Sequence, residues 1–426
     1  MEIDKIFEEV DKIEDAKVIS LMNELISINT SVPPGKNYDI FVDTLVPYFK
    51  NLGFSLEKVI VPPSKIKEIP LPLEGERVNL VAYKDLGKNK DLNFYAHMDV
   101  VPIEDEKKWK HNPFSATITK RGKIYGRGTS DMKGTIVCLI LALEIMKKLN
   151  LESKYNIKAL ICTDEEIGIQ PGVRYLAENG YIKENSEFFC MEGAQENVIV
   201  VGSAGDMDVE VESIGISCHS GMNFLGINAI EQTIPILNEL MKLKKIVEKR
   251  QSKDIRGIPR QDDPSRRMMS PMFNIDIIRG GTKSNIVPEK CTFVINRRYI
   301  PDENFEDVKK ETLEALEKGK SQSSLKDLKI EVFNIYPPLK SDLNSAIIEK
   351  MKKIICRVHN IQPEKLANLG ISGSTDMGFV NQVTQNIIMR GVASIQSNSH
   401  GVNESIRMKD VKSFIKEIIL YLCVDI

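Results

Sequence analysis

A mostly apolar run at residues 92–96 ends in His97 and, two positions later, in Asp99. Two further apolar runs, at residues 157–163 and 187–191, lead into acidic residues in the same way. Each run has the length of a buried strand, and helical patterns separate the three. Strands that alternate with helices predict an α/β fold with a mostly parallel central sheet flanked by helices. Side chains that follow such strands gather at one edge of the sheet, where α/β proteins place their sites.

The pattern changes near residue 206, because residues 207–212 alternate strictly between apolar and polar side chains. Such alternation is typical of a strand with one exposed face. The elements that follow predict an α+β sandwich. After them, the pattern of apolar strands that alternate with helices resumes. A length of 426 residues also favours two domains. We predict a catalytic domain at residues 1–205 and 339–426, with an inserted domain at residues 206–338.

Local patterns predict most of the individual elements. The predicted helices lie at about 4–28, 38–52, 135–149, 172–179, 228–244, 304–318 and 345–359. The predicted strands lie at about 57–61, 78–82, 92–97, 157–163, 187–191, 272–278, 291–299, 329–334 and 385–389. A polar stretch at residues 248–267 is predicted to be a mobile loop.

Composition narrows the class of partner. The formal net charge of −2 offers no attraction for nucleic acid or for an anionic membrane surface. No apolar run approaches the roughly 20 residues that span a bilayer, and the first residues are acidic rather than those of a signal peptide. The seven cysteines show no C-x-x-C spacing, which favours free thiols in a reducing compartment. We therefore expect a cytoplasmic protein with a small-molecule or protein partner.

His97, Asp99 and Asp131 are the first candidate functional residues. A spacing of two lets His97 and Asp99 point to one side of a strand, and a metal-bound imidazole needs such an acceptor on its other nitrogen. A core histidine is the alternative interpretation. Asp131 follows a glycine-rich turn and precedes an apolar helix, so by itself it is interpreted as a helix N-cap.

Glu165, Glu166, Glu192 and His400 also follow predicted strands or lie in a loop of small residues. Three adjacent acids at residues 164–166 repel one another unless a positive group lies near them. One carboxylate of such a pair can bind a metal while its neighbour handles a proton. A solvated acidic loop remains the alternative for residues 164–166, and Glu192 and His400 could each be incidental.

Taken together, two histidines and several carboxylates form a ligand set suited to two divalent ions. A carboxylate shared by the two ions, with a water of lowered pKa, makes a hydrolytic centre. Asp131, at a rigid helix start, is the best candidate for the shared ligand.

Four motifs then resemble those of one family in identity and order, at residues 96–102, 126–134, 164–168 and 280–288. The chain resembles, over essentially its whole length, the di-zinc amidohydrolases that include acetylornithine deacetylase, succinyl-diaminopimelate desuccinylase, aminoacylase and the glutamate carboxypeptidases. The inserted domain fits this family as well.

The resemblance implies a role for each of the candidate residues. Two divalent metal ions, zinc or alternatively cobalt, are expected, with Asp131 bridging them. Glu165 would be the general base, and Asp99 would orient His97. The implied ligands of the first ion are His97 and Glu192, and those of the second are Glu166 and His400.

The resemblance also implies roles in the inserted domain, which would form a homodimer through residues 206–338. His219, in a Gly-x-x-x-His element, would reach the partner subunit's site and stabilise an oxyanion. Asn285 and Arg298 would hold a substrate carboxylate, with Arg297 as a weaker alternative. The implied substrate loop contains Gly373, Ser374 and Thr375, although Gly378 replaces the arginine of many family members and His219 lacks the usual residues after it.

The expected reaction is hydrolysis of the amide bond of an N-acyl amino acid, by a metal-bridging water with Glu165 as base. A metallo-carboxypeptidase or dipeptidase is the alternative within the enzyme class. A non-catalytic dimeric binding or scaffold protein is the alternative outside it, and metal content separates the two.

Overall fold

The computed structural model describes residues 2–67, 69–184, 186–195, 197–259 and 263–425. The chain divides into two compact units. Unit 1 comprises Met1–Val201, Ser341–Asn368 and Phe379–Ile426, and unit 2 comprises Gly202–Lys340 and Leu369–Gly378. The grouping of residues 369–378 with unit 2 is not among the predictions from the sequence.

Helices and strands alternate over much of the chain. The helices are α1 (Glu2–Asp11), α2 (Asp15–Ile26), α3 (Tyr38–Asn51), α4 (Pro63–Ile66), α5 (Lys133–Leu149), α6 (Gly172–Glu178), α7 (Ala229–Val247), α8 (Phe305–Lys320), α9 (Ala346–His359), α10 (Met377–Asn381) and α11 (Met408–Cys423). The strands are β1 (Ser55–Ile60), β2 (Val78–Lys84), β3 (Asp91–His97), β4 (Thr117–Ile118), β5 (Lys123–Tyr125), β6 (Asn156–Cys162), β7 (Glu187–Cys190), β8 (Val198–Ser203), β9 (Gly205–Ile214), β10 (Met272–Gly280), β11 (Lys290–Tyr299), β12 (Asp327–Tyr336), β13 (Leu339–Lys340), β14 (Ala367–Ile371), β15 (Ile387–Met389) and β16 (Ser405–Arg407).

The main sheet of unit 1 has the strand order β1-β2-β6-β3-β7-β15-β8. Its four central strands, β6, β3, β7 and β15, run parallel to one another, and the outer pairs are antiparallel. Every residue of β3 and β6 is buried, as expected for strands covered on both faces. The predicted α/β class with a mostly parallel central sheet is confirmed.

Two helices of unit 1 differ from expectation. The helix predicted at residues 4–28 is two helices, because Glu14 is extended and Asp15 begins α2 with an acidic first turn. Helix α11 was not predicted, yet most of its residues are buried and it packs against α5. Helix α5 is apolar on nearly all of its faces, so it needs packing partners on more than one side. Helix α11 is one of these partners.

Unit 2 contains a four-stranded antiparallel sheet in the order β10-β11-β9-β12. Helices α7 and α8 contact each other and this sheet, and a core that includes Val209, Ile236, Phe293 and Leu316 fills the space between them. The alternation predicted at residues 207–212 appears in β9 as buried positions that alternate with half-buried or exposed ones. Each helix begins with an asparagine cap, which accepts hydrogen bonds from the first turn.

The predicted loop at 248–267 contains no helix or strand in its described residues, and residues 260–262 lie outside the described part of the chain. All seven cysteines are free thiols. Among the helices that the structure describes, none combines the length and apolarity needed to cross a membrane.

Candidate metal centre

The parallel strands of unit 1 bring three ligand-bearing segments to one edge of the sheet. Strand β3 lies between β6 and β7, and His97 is its last residue. Tyr95 pairs with Cys190, the last residue of β7, and Glu192 follows two residues later in the chain. On the other side His97 pairs with Cys162, the last residue of β6.

Asp131 lies between two imidazoles. Its Oδ1 is 3.1 Å from Nε2 of His97, and its Oδ2 is 3.0 Å from Nε2 of His400. Oε2 of Glu166 is also 3.0 Å from Nε2 of His400. Ligand atoms of His97, Asp131 and Glu166 all lie within 4.8 Å of one another, which is the spacing of a compact metal-binding group. The structure therefore brings together four residues that the sequence singled out at distant positions.

The interpretation of Asp131 as a helix cap is wrong. Met132 occupies the N-cap position of α5, and no side chain caps the helix there. The backbone N–H groups of Ser130 and Asp131 instead donate to the carboxylate of Glu404, at 2.8 and 3.2 Å. Because Glu404 satisfies these donors, the Asp131 carboxylate is free to face the histidines.

Asp99 contacts two of the candidate ligands, His97 and Glu166. Its backbone oxygen accepts from Nδ1 of His97 at 3.0 Å, which leaves Nε2 of the ring directed toward Asp131. The Asp99 carboxylate lies 3.6 Å from Nδ1 through Oδ1, beyond hydrogen-bond distance, and Oδ2 accepts from the backbone N–H of Glu166 at 2.9 Å. The side chain of Asp99 thus fixes the Glu166 backbone, a contact that the sequence did not indicate.

A buried arginine relieves the repulsion expected among the three adjacent acids. Asp164 is fully buried, and it accepts from Nε of Arg77 at 3.1 Å and from the Tyr38 hydroxyl at 2.9 Å. Glu165 and Glu166 follow Asp164 directly, and both belong to the short turn Glu165–Ile167. The alternative of a solvated loop is wrong, because these acids are buried or nearly so.

The electrostatics of the cluster favour positive charge. Burial raises the pKa of Glu166 to about 7, and the nearby Asp131 charge adds to this effect. Hydrogen bonds to Asp131 and Glu166 raise the pKa of His400 to about 10. Burial opposes protonation of His97, but its hydrogen bond to Asp131 and the charges of Asp99 and Glu165 hold its pKa well above the usual value. Protonated imidazoles and excess carboxylates indicate a place that a cation would occupy.

The residues present fit divalent metal ions. Oδ1 of Asp99 and Oε1 of Glu166 are buried oxygens without a hydrogen-bond partner, and such atoms ordinarily have one. The donors around Asp131 are imidazole nitrogens and carboxylate oxygens, which suit zinc and similar ions. Glu165 is buried next to this group, and Glu192 is half-buried after β7. The chemistry available is that of a metal centre with an adjacent carboxylate for proton transfer.

His219 and Asn285 belong to adjoining segments of unit 2. His219 forms a bridge with Ile286, and the N–H of Ser220 donates to the backbone oxygen of Asn285 at 3.1 Å. Nδ1 of His219 accepts from the N–H of Gly221 at 3.0 Å, so Nδ1 carries no proton and Nε2 does. Both His219 and Asn285 are exposed.

Arg298 has three partners within unit 2. Its Nη1 donates to Oγ of Ser374 at 2.7 Å, its Nε donates to Oδ1 of Asn296 at 3.0 Å, and its Nη2 lies 3.2 Å from Oδ2 of Asp206. Arg297 is fully buried and lies 2.7 Å from Glu303. Only Arg298 of the pair therefore has an accessible guanidinium, with 27% of its side chain exposed.

The loop that contains Ser374 explains the glycine at position 378. The N–H of Ala204 donates to the Gly373 oxygen at 3.2 Å, and Thr375 is buried. A Cβ on Gly378 would lie 2.0 Å from the backbone oxygen of Pro337, closer than any side chain tolerates. An arginine cannot stand at position 378 in this backbone arrangement.

The chain is similar to several known proteins. It is 28% identical over 366 residues to a probable succinyl-diaminopimelate desuccinylase of Staphylococcus epidermidis, covering 83% of this chain and 85% of the relative. A metallo-carboxypeptidase of the M20 family from Sulfolobus solfataricus superimposes with a TM-score of 0.75 at 20% identity, over 95% of this chain and 98% of its own. A di-peptidase from Saccharomyces cerevisiae gives a TM-score of 0.75 at 17% identity, over 98% and 97% of the two chains.

Residues 93–422 match the family described as Peptidase family M20/M25/M40. This range contains all of the candidate metal ligands and most of both units. A Bacillus subtilis protein that superimposes with a TM-score of 0.64 at 13% identity, over 96% of this chain and 98% of its own, is described as a dinuclear metal-binding peptidase of the M20 family. The chain belongs to peptidase family M20/M25/M40 and is a metallohydrolase.

Proposed function

We propose that the chain hydrolyses the amide bond of an N-acyl amino acid, in the manner of acetylornithine deacetylase or succinyl-diaminopimelate desuccinylase. The observation that carries this proposal is the position of Asp131 between His97 and His400, with one carboxylate oxygen facing each ring. A carboxylate so placed can serve two metal ions at once. The similarity to the Staphylococcus epidermidis desuccinylase supports the choice of an acyl-amino-acid substrate.

Each ion would have its own imidazole and its own glutamate. His97 and Glu192 would hold one ion, Glu166 and His400 the other, and Asp131 both. Zinc suits this mixture of nitrogen and oxygen ligands, and cobalt is a suitable substitute. When bound, the two ions polarise the scissile carbonyl and lower the pKa of the attacking water.

Glu165 would move the protons. It is buried and belongs to the same turn as Glu166, so the backbone that positions a metal ligand also positions the base. In the forward direction the Glu165 carboxylate accepts a proton from the attacking water, and the resulting acid then gives that proton to the leaving amine nitrogen. Asp99 would keep the His97 ring in place through its backbone oxygen.

Unit 2 would bind the substrate carboxylate. Arg298 and Asn285 would donate to it, together with the loop of Gly373, Ser374 and Thr375. The hydrogen bond between Arg298 and Ser374 supports a common role for the two. His219, from the partner subunit, would donate its Nε2 proton to the developing oxyanion.

A homodimer through residues 206–338 is part of the proposal. In the described sheet of unit 2, β10 has a neighbour on one side only, which leaves an edge available for pairing. Helix α7 also exposes Ile234, Met241 and Ile246, with 44–59% of each residue accessible. Light scattering coupled to gel filtration measures the oligomeric state, and a monomer at micromolar concentration would contradict this part.

A metallo-carboxypeptidase or dipeptidase is the second candidate. The similarity to the Sulfolobus solfataricus carboxypeptidase and the Saccharomyces cerevisiae di-peptidase favours it. Both reactions use the same metal centre and a substrate carboxylate, so they differ only in the group that precedes the scissile amide.

A substrate panel separates the two candidates. Protein reconstituted with Zn²⁺ or Co²⁺ is assayed for release of a primary amine from N-acetyl amino acids, N-succinyl amino acids and dipeptides. We expect the acylated amino acids to give the highest kcat/KM. Cleavage of dipeptides alone would contradict the deacylase and support the peptidase.

A further inference from the structure

We propose that Glu404 is a positioning residue that holds Asp131 and His400 at the separation the metal centre requires, with Arg127 as its partner. The inference rests on the proposed function, since it takes Asp131 and His400 to be metal ligands. Neither Glu404 nor Arg127 is among the functional residues predicted from the sequence.

The Glu404 carboxylate accepts hydrogen bonds from several groups of the loop that carries Asp131. The residue is fully buried. Its Oε1 accepts from the N–H and hydroxyl of Ser130, at 2.8 and 2.9 Å, and from the N–H of Asp131 at 3.2 Å. Its Oε2 accepts from the N–H of Gly128 at 3.1 Å and from Nη1 of Arg127 at 2.7 Å. Three backbone N–H groups of one short loop therefore converge on a single carboxylate, as in an anion-binding nest.

The same network reaches the loop of His400. Nη2 of Arg127 donates to the backbone oxygen of His400 at 3.1 Å, while Nη1 holds Glu404. Oγ of Ser130 lies 3.0 Å from Oγ of Ser399. Because Glu404 and Arg127 each touch both loops, the separation of the two backbones is fixed from two directions.

Arg127 is itself held in place. Only 3% of its side chain is exposed, and its guanidinium lies over the ring of Trp109 at 5.3 Å. One guanidinium nitrogen contacts Glu404 and the other contacts the backbone oxygen of His400. Loss of either buried charge would leave the other without compensation. The Arg127–Glu404 pair therefore fixes the loop of Asp131 relative to the loop of His400.

A carboxylate is required at position 404. All five contacts to Glu404 come from donors, so the residue must accept at both oxygens. Glutamine has the same size, but its NH₂ group would face N–H donors at one of the two positions. Glu404→Gln then loosens one side of the Asp131 loop without opening a cavity. Residues that support metal ligands in this way typically contribute about 10–100-fold to metal affinity or activity.

The test compares Glu404→Gln with Glu311→Gln. Glu311 also contacts a buried arginine, Arg297, at 3.3 Å, but it lies in unit 2. Each variant is examined by circular dichroism and thermal melting, by titration of Zn²⁺ against a chromogenic chelator, and by the absorption spectrum of the Co²⁺ form. We expect Glu404→Gln to remain folded, to lose about 10–100-fold in affinity for at least one ion and to change the Co²⁺ spectrum. Glu311→Gln should bind metal as the wild type does.

Unchanged affinity and an unchanged Co²⁺ spectrum in folded Glu404→Gln would overturn the inference. If that variant does not fold, Arg127→Lys replaces it, because lysine keeps a charge beside Glu404 but lacks the second nitrogen that reaches His400. A folded Arg127→Lys protein with wild-type metal affinity and spectrum would overturn the inference equally. A wild type that binds no metal would instead refute the proposed function, so the two failures are distinguishable.

Discussion

The metal cluster of unit 1 and the Arg298 cluster of unit 2 differ in how their charges are balanced. Around Asp131 the imidazoles of His97 and His400 lie among several carboxylates, and within the described part of the chain Oδ1 of Asp99 and Oε1 of Glu166 are buried without a hydrogen-bond partner. Around Arg298 the guanidinium already has a carboxylate, Asp206, and two neutral acceptors. The metal cluster therefore has more carboxylates than positive groups, whereas the Arg298 guanidinium already has its partners within unit 2.

This difference separates two kinds of binding. A region with excess buried carboxylates gains stability when a cation binds, so its ligand supplies what the fold lacks. A region whose arginine is already paired must exchange one carboxylate for another when substrate arrives. We therefore expect changes at the metal cluster to have large effects, and changes around Arg298 to have smaller effects that appear mainly in KM.

The largest expected effect belongs to Glu165. Replacement by glutamine removes the proposed base while keeping the size of the side chain, so kcat should fall about 10²–10⁴-fold. Metal content measured by atomic emission should stay at the wild-type level. Glu166→Gln is the matched control, because the neighbouring acid is a proposed ligand and its loss should lower metal content as well as activity. Wild-type turnover by Glu165→Gln would exclude it as the base.

Arg298 should have the next largest effect. Arg298→Ala removes hydrogen bonds to a charged substrate group, each contributing about 1.5–3 kcal/mol, so kcat/KM should fall at least about 10-fold with metal content unchanged. The control is a substrate whose α-carboxylate is replaced by a carboxamide. Its poor hydrolysis should be the same with wild type and Arg298→Ala. An equal loss for both substrates would show that Arg298 does not contact the carboxylate.

Replacement of Asp206 should have the smallest effect, and it should strengthen substrate binding rather than weaken it. Asp206→Asn removes the competing carboxylate, so KM for an anionic substrate should decrease about 1.4- to 5-fold, in line with about 0.2–1 kcal/mol for a partly exposed ion pair. Asp208→Asn is the matched control, because Asp208 contacts Asn296 rather than Arg298. An increase in KM for Asp206→Asn would mean that Asp206 orients the arginine instead of competing for it.

The effect of Asp206 should also depend on pH. Burial raises the pKa of Asp206 to about 6, although the Arg298 charge acts in the opposite direction. As the pH falls through about 6 the wild-type carboxyl takes up a proton and becomes neutral, like asparagine. The ratio of the wild-type KM to the KM of Asp206→Asn should therefore approach one as the pH is lowered from 7.5 to 5.5. Initial rates measured across that range give both KM values.

Local patterns in the sequence were sufficient for most elements and for singling out the candidate metal ligands. The strand predicted at residues 157–163 is β6, Asn156–Cys162, and the helix predicted at residues 345–359 is α9, Ala346–His359. Both have a periodicity that a short window contains. His97, Glu166 and Glu192 could be singled out because they end or follow such strands, and parallel strands end at a common edge.

The supporting contacts could not be predicted, because each joins residues far apart in the chain. Glu404 lies 273 residues from Asp131, and Arg77 lies 87 residues from Asp164. Nothing in the local composition around Glu404 distinguishes it from an exposed acid. The helix-cap interpretation of Asp131 failed for the same reason, since the group that accepts the N–H donors of its loop comes from elsewhere in the chain.

The metal content of the purified protein tests the central claim most directly. Wild type and Asp131→Asn are reconstituted with excess Zn²⁺, dialysed, and analysed for zinc per chain, with circular dichroism to establish that both are folded. We expect about two zinc ions per wild-type chain, as the proposed dinuclear centre implies, and a clear deficit in Asp131→Asn, because both ions would lose their shared ligand. A folded wild type that retains no divalent ion would contradict the account and favour a non-catalytic binding or scaffold protein.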